Sequence, residues 1–150
     1  MWRFESNDHQ DIALHDNLIN LIIVENGNIL LAFSDGFDVV KTHPLNITQK
    51  SKHTTESQIT LLNAQFIKGN VFIRKDEERE FDYSELTKRF VHFMVSQFKI
   101  ENDELYLFGN LDADGLKSEA AEIWFYCSDV IFCWNDYSSD AWFEGWPKRT

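Results

Sequence analysis

Short apolar runs with every second residue apolar recur along the whole chain, and Asn, Gly or Asp closes nearly every one of them. A period of two sends successive side chains to opposite faces, so such runs read as half-buried strands. Breaks this frequent leave room mainly for antiparallel connections. Asn26-Gly27 is the strongest break, because both central residues of a type I′ turn need positive φ, and it joins the runs 18–25 and 28–33 into a hairpin. A first strand is expected over 2–5, then a polar loop over 6–10. Asp35-Gly36 turns the chain into a run at 37–41 that His43-Pro44 stops, since proline cannot donate to a ladder. Residues 45–57 read as a polar loop, 58–68 and 71–75 as a second hairpin around Gly69-Asn70, and the charged run 76–80 as a solvated connection.

One helix is expected over 83–89, with Asp82 or Ser84 as N-cap and Glu85 in the first turn, where the macrodipole favours acid. Leu86, Phe90, Phe93 and Met94 would extend it at i, i+4, i+7 and i+8. The composition of 90–100 is equally strand-like, so 90–97 fits either state. Strands resume at 104–111, 120–127 and 130–135, with Ser128-Asp129 as a tight turn, and these three form a meander. Ile123, Phe125 and Cys127 share one face and Trp124 and Tyr126 the other, so at least one face calls for a cover, helix or second sheet. The expected fold is a single α+β domain over 1–150, mainly antiparallel β-sheet made of hairpins and a C-terminal meander, with one short helix. A chain of 150 residues buries roughly two thirds of its unfolded surface, and thirteen Phe, five Trp and four Tyr supply the core.

The formal net charge of −11 and a pI near 4.7 argue against nucleic acid as a partner, because phosphate neutralisation needs clustered Lys and Arg. Lys41, Lys50 and Lys52 are the nearest thing to a basic patch, and with no aromatic among them they read as a solvated loop. No run approaches the length of about eighteen apolar residues that a membrane span needs, and 1–8 lacks the apolar core of a signal peptide. A cytoplasmic setting is therefore expected, with Cys127 and Cys133 reduced on paired strands.

Candidate chemistry is sparse. His9, Asp11, His15 and Asp16 form the densest group of metal-type ligands, and a metal-dependent hydrolase would require all four to converge with an ordered second shell. Asn110, Asp112 and Asp114 followed by Gly115 match the first half of an EF-hand loop, but Ala121 stands where the bidentate Glu should be. A calcium or small-ligand module there is weaker than an Asp- and Gly-rich turn. No Gly-x-Ser-x-Gly elbow, Walker loop or dinucleotide fingerprint is present, and both cysteines sit in apolar runs that would keep their thiols inert. No catalytic residue, resident metal or cofactor is expected.

The last third is where acid and large aromatics coincide. From 101 to 147 there are eleven Asp or Glu against one Lys, Lys117. Trp134, Asp136, Tyr137, Asp140, Trp142, Glu144 and Trp146 form the candidate binding surface, aromatic anchors with a charged rim for Lys or Arg of a partner.

Leu14-His15-Asp16, Asn26-Gly27, Ile29-Leu30-Leu31, Phe33, Asp35-Gly36-Phe37 and His43-Pro44-Leu45-Asn46 resemble the N-terminal half of a widespread group of small bacterial proteins of unknown function. The segment 123–126, Trp134-Asn135 and Ala141-Trp142-Phe143 are similar to that group's C-terminal strands. The resemblance implies a fold more than an activity. In size and acidity such proteins look like immunity proteins of bacterial toxin systems, which neutralise a cognate toxin by binding it. The functional expectation is a non-enzymatic domain of that kind, taking a basic protein such as a toxin. An open edge strand, not identifiable from sequence, would also let two copies pair.

Overall fold

The computed structural model describes residues 1–74, 76–114 and 116–147. Along the chain run β1 (Phe4–Ser6), β2 (Ile12–Ala13), β3 (Leu18–Ile19), β4 (Leu21–Glu25), β5 (Asn28–Phe33), β6 (Asp38–Val39), β7 (Lys52–Thr54), β8 (Ser57–Leu62), β9 (Gln65–Arg74) and β10 (Glu77–Phe81). The helix α1 (Tyr83–Arg89) follows, then β11 (Phe90–Glu101), β12 (Glu104–Ala113), β13 (Leu116–Tyr126), β14 (Asp129–Trp134) and β15 (Tyr137–Asp140). They form three antiparallel sheets: β1-β14-β8-β5-β4, β10-β9-β13-β12-β11-β3 and β15-β7-β6-β2. The α+β class, dominated by antiparallel sheet with one short helix, is as expected.

Alternation decides which faces meet. Ile29, Leu31, Phe33, Ile59, Leu61 and Phe132 line the inner face of the first sheet, and Phe93, Val95, Leu105, Leu107, Ile123 and Phe125 that of the second. All belong to one buried cluster, and Phe98 meets Phe132 edge-on between the sheets at 6.4 Å. Each such side chain contributes about 1.5–3 kcal/mol by leaving water. Phe37 brings in the third sheet, its buried ring standing edge-on to Phe33, Phe132 and Trp134.

The hairpin at Asn26-Gly27 forms with φ of 53° and 80° and Glu25 opposite Asn28. Its first run is nevertheless split at Asn20. Ile19 pairs with Phe93 in the second sheet while Leu21 pairs with Ala32 in the first, so the segment changes sheets within three residues. The helix also forms as expected, with the Asp82 carboxylate accepting from the Glu85 amide at 2.8 Å and Leu86 buried beneath. Lys88 and Arg89 in its last turn complement the dipole. The hollow between α1 and the sheet, lined by Val71, Phe81, Leu86 and Leu111, measures about 20 Å³, room for one water and no ligand.

Several expectations are corrected. Gly69-Asn70 is no turn, because β9 runs straight through it. A Cβ at Gly69 would lie 2.1 Å from the Phe81 ring, so the glycine serves close packing. The real turn is at Asn63-Ala64, where Asn63 takes φ 48° and the chain crosses from the first sheet to the second. The charged run is the edge strand β10, paired with β9, and the loop 45–57 contains β7. Residues 90–97 are strand, since alternate Phe93 and Val95 are both fully buried and β12 supplies a ladder. β12 and β13 do form a meander with β11, but β14 leaves it. At Ser128-Asp129 the chain crosses to the first sheet, with the Cys127 amide bonded to the Asp103 carbonyl and that of Ser128 to the Leu62 carbonyl. Cys127 and Cys133 are free and buried, on segments of different sheets rather than on paired strands. On β13 the Ile123 face is covered by the first sheet, while Trp124 stays half-buried between Tyr106, at 5.0 Å, and the Lys68 ammonium, 4.5 Å over its ring. No helix among the described residues is long and apolar enough to cross a membrane.

Candidate functional site

The C-terminal segment is a strap that edges the third sheet through β15, and the structure divides its aromatics into two sets. Trp134, at the end of β14, is fully buried. Its ring stacks on Phe4 at 5.4 Å and stands edge-on to Phe37 and His43, and its indole N–H donates to the Tyr137 hydroxyl at 3.3 Å. Tyr137 packs on the same Phe4 ring, and burial raises its pKa. Trp134 is therefore withdrawn from the candidate surface by the strand alternation that points it into the core, and half-buried Tyr137 is engaged beside it. Trp142 and Trp146 take the opposite course. They are 49% and 58% exposed, edge to face at 5.1 Å, with Phe143 edge-on to Trp142 at 5.3 Å.

What holds them there is the acid expected to form a rim. β15 pairs with β7, and beyond it the Ala141 amide donates to the Ser51 carbonyl at 2.9 Å. Asp136 binds the Arg3 guanidinium at 2.9 Å, Asp140 binds Lys52 at 2.7 Å with Lys50 at 3.8 Å, and Glu144 accepts from the Ser51 amide at 2.5 Å. The hydrogen bond from Lys52 holds the Asp140 carboxyl below its usual range, helped by the charge of Lys50. All three carboxylates tie the segment to the rest of the chain, while the Asp136 and Asp140 side chains stay exposed beside the rings. Lys50 and Lys52, two of the lysines that read as a solvated loop, supply the tie at Asp140.

His15 completes the patch, its ring 5.9 Å from that of Trp142, with Nδ1 on the Ser96 carbonyl at 2.8 Å and Nε2 3.4 Å from Asp16. Nothing in the sequence links residue 15 to residue 142, because the two meet only through the fold. Asp11 instead accepts from the Thr42 hydroxyl at 2.7 Å. Among the described residues no three His, Cys, Asp or Glu side chains are placed to hold a metal ion together, so His9, Asp11, His15 and Asp16 do not make the ligand set a hydrolase would need. Asn110 and Asp112 lie on β12 rather than in a loop, and Asp112 meets His92 at 3.1 Å. Gly115 of that expected module lies outside the described residues.

Two further constellations have the residue types of catalysis without its geometry. His53 has Nδ1 on buried Asp38 at 2.8 Å, as a general base would, but Nε2 is bonded to the Asp35 carbonyl and has no lone pair to offer a substrate. Burial pushes the Cys127 and Cys133 thiols up to about 11, which keeps them protonated and poorly nucleophilic near neutral pH.

Compared with protein-family models, curated proteins and solved structures, the chain matches none.

Proposed function

We propose that this chain is a non-enzymatic, cytoplasmic protein-binding domain of immunity-protein type that takes a basic protein such as a toxin. The observation that carries the reading is the Trp142 and Trp146 pair, two large rings about half exposed on a strap tied down at Asp136, Asp140 and Glu144. Exposed tryptophans of this kind dominate interface energetics, and a support already fixed loses little further freedom on binding. The net charge of −11 favours a basic partner by steering its approach. Because the strap carboxylates are engaged internally, the attraction is assigned to exposed acids elsewhere, among them Glu78 and Glu80 on β10 and Asp103 and Glu104 at the β11–β12 turn. Two unpaired buried cysteines fit a reducing compartment.

The test is capture from native host lysate with the whole chain as bait, beside a Trp142→Ala/Trp146→Ala bait. Both substitutions lie on exposed rings, so the fold is expected to survive, and the strap carboxylates are left intact. One basic protein retained by the first bait, lost with salt and lost by the second, is the expected result. Truncation should cost about 2 kcal/mol per anchor, or roughly 30-fold in affinity each. Recovery of no partner, or of one indifferent to both truncations and to salt, would overturn the reading.

A further inference from the structure

Among the described residues six strands end the three sheets, and five of them are poor templates for another chain. β1, β2 and β3 have only two or three residues, β10 carries Glu77, Glu78, Arg79 and Glu80, and β15 is polar and ends in Asp140. Charge and shortness are the usual means of blocking an edge. β4 has neither. It presents Leu21, Ile22, Ile23 and Val24 in succession, with Leu21, Ile23 and Val24 at 51%, 39% and 53% exposure, and no charged residue lies between Asp16 and Glu25.

Its free backbone groups follow from the turn. In a two-residue hairpin the residues flanking the turn exchange both hydrogen bonds, so Glu25, Ile23 and Leu21 direct their amides to β5. The Asn20 amide also reaches the Ala32 carbonyl, at 2.8 Å, so two residues face Ala32 and the regular alternation ends there, just before β4. Ile22 and Val24 then point N–H and C=O away from the sheet, and among the described residues β5 is the only strand that pairs with β4.

We propose that β4 is a self-association edge, on which a second copy of this chain pairs antiparallel about a two-fold axis at Ile23. That register sets Ile22 against Val24 of the other copy and Val24 against Ile22, which gives four hydrogen bonds from the groups β5 leaves free. Ile23 meets its own counterpart in the close, non-hydrogen-bonded position, where β-branched side chains pack best. The same patch faces itself, as a two-fold interface requires, and the two five-stranded sheets become one. Self-complementarity of the uncharged apolar run Leu21 to Val24 identifies the occupant as another copy. A five-residue edge on each side buries less than the roughly 1,200 Å² of stable interfaces, so the dimer is weak and follows concentration. Two bodies of net charge −11 also repel, so salt strengthens this contact, opposite in sign to its effect on a basic partner.

Sedimentation of the whole chain from micromolar to millimolar concentration, at low and high salt, reads the outcome directly. The mass should rise from 17.7 kDa toward twice that value with concentration, further at high salt. Amide exchange at Ile22 and Val24 should slow in parallel. Ile23→Lys and, as a second variant, Val24→Lys should each stay monomeric with unchanged circular dichroism. A wild-type chain monomeric throughout, a dimer that survives both lysines, or one that leaves the Ile22 and Val24 amides unprotected would overturn the proposal.

Discussion

Asp38 is wholly buried, and its carboxylate is held by His53 Nδ1 at 2.8 Å and by the Asn17 side-chain amide at 3.1 Å. An ionised carboxyl out of water costs several kcal/mol, which its partners offset only while both are present. His53 occupies this place because β7 runs beside β6, whose Asp38 lies opposite it. His53→Ala should therefore lower the unfolding free energy by about 3 kcal/mol, far beyond the loss of an exposed ion pair. Adding Asp38→Asn should recover part of that, since no buried charge is then left alone. Urea denaturation of the two variants checks both steps, and a loss near zero for His53→Ala would mean that Asn17 alone satisfies the carboxylate. Trp134 and Trp142 make the complementary point. They are chemically identical and eight positions apart, yet one closes the core and the other meets solvent. The difference lies in what each meets across the fold, Phe4 and His43 for the first and His15 for the second.

At the scale of elements, glycine inside a strand marks where something else comes close. A Cβ at Gly109 would lie 1.9 Å from the Met94 carbonyl oxygen, opposite the irregularity of β11 between Val95 and Gln97, whereas one at Gly69 would meet the Phe81 ring first. A ring can tilt and a paired backbone cannot, so Gly109→Ala should cost about 3 kcal/mol and Gly69→Ala about 1–2. Thermal unfolding of both variants gives the order, and the reverse order would mean that β11 yields more readily than the packed ring. The same contrast explains how far the sequence could be read. Asn26-Gly27 and Asp82 act through their own local geometry, so the hairpin and the helix were legible. Gly69 and Ser128-Asp129 answer to distant elements, one to Phe81 and the other to a change of sheet, and their turn chemistry misled. Of the candidate site, the exposed pair Trp142 and Trp146 was legible as aromatics in an acidic segment. The ties at Arg3, Lys52 and Ser51 were not, because Arg3 and Asp136 stand 133 positions apart.

Over the whole molecule, pairing is dominated by residues far apart in the chain. β1 pairs with β14, setting Phe4 opposite Trp134, and β5 pairs with β8 across the third-sheet strands β6 and β7. The chain passes between the first two sheets at Asn20, at Asn63-Ala64 and after Cys127, so neither sheet can be completed from one continuous stretch. Local hairpins exist at β4–β5, β9–β10, β11–β12 and β12–β13, and these can form early because they close short loops. Trp134 cannot be buried then. Its ring is enclosed by Phe4, Phe37, His43 and Tyr137, drawn from both ends and the first third of the chain. Such topology folds on a timescale of milliseconds to seconds, and the rate is set by the ordering of distant segments. In stopped-flow refolding, the fluorescence component removed by Trp134→Phe is expected in the slowest phase, after most far-ultraviolet circular dichroism has returned. Recovery of that component together with the first secondary structure would place β1–β14 pairing at the start of folding. The strap that carries Trp142 and Trp146 would then be fastened before the core beneath it, contrary to the order in which its ties to Arg3, Lys52 and Ser51 become available.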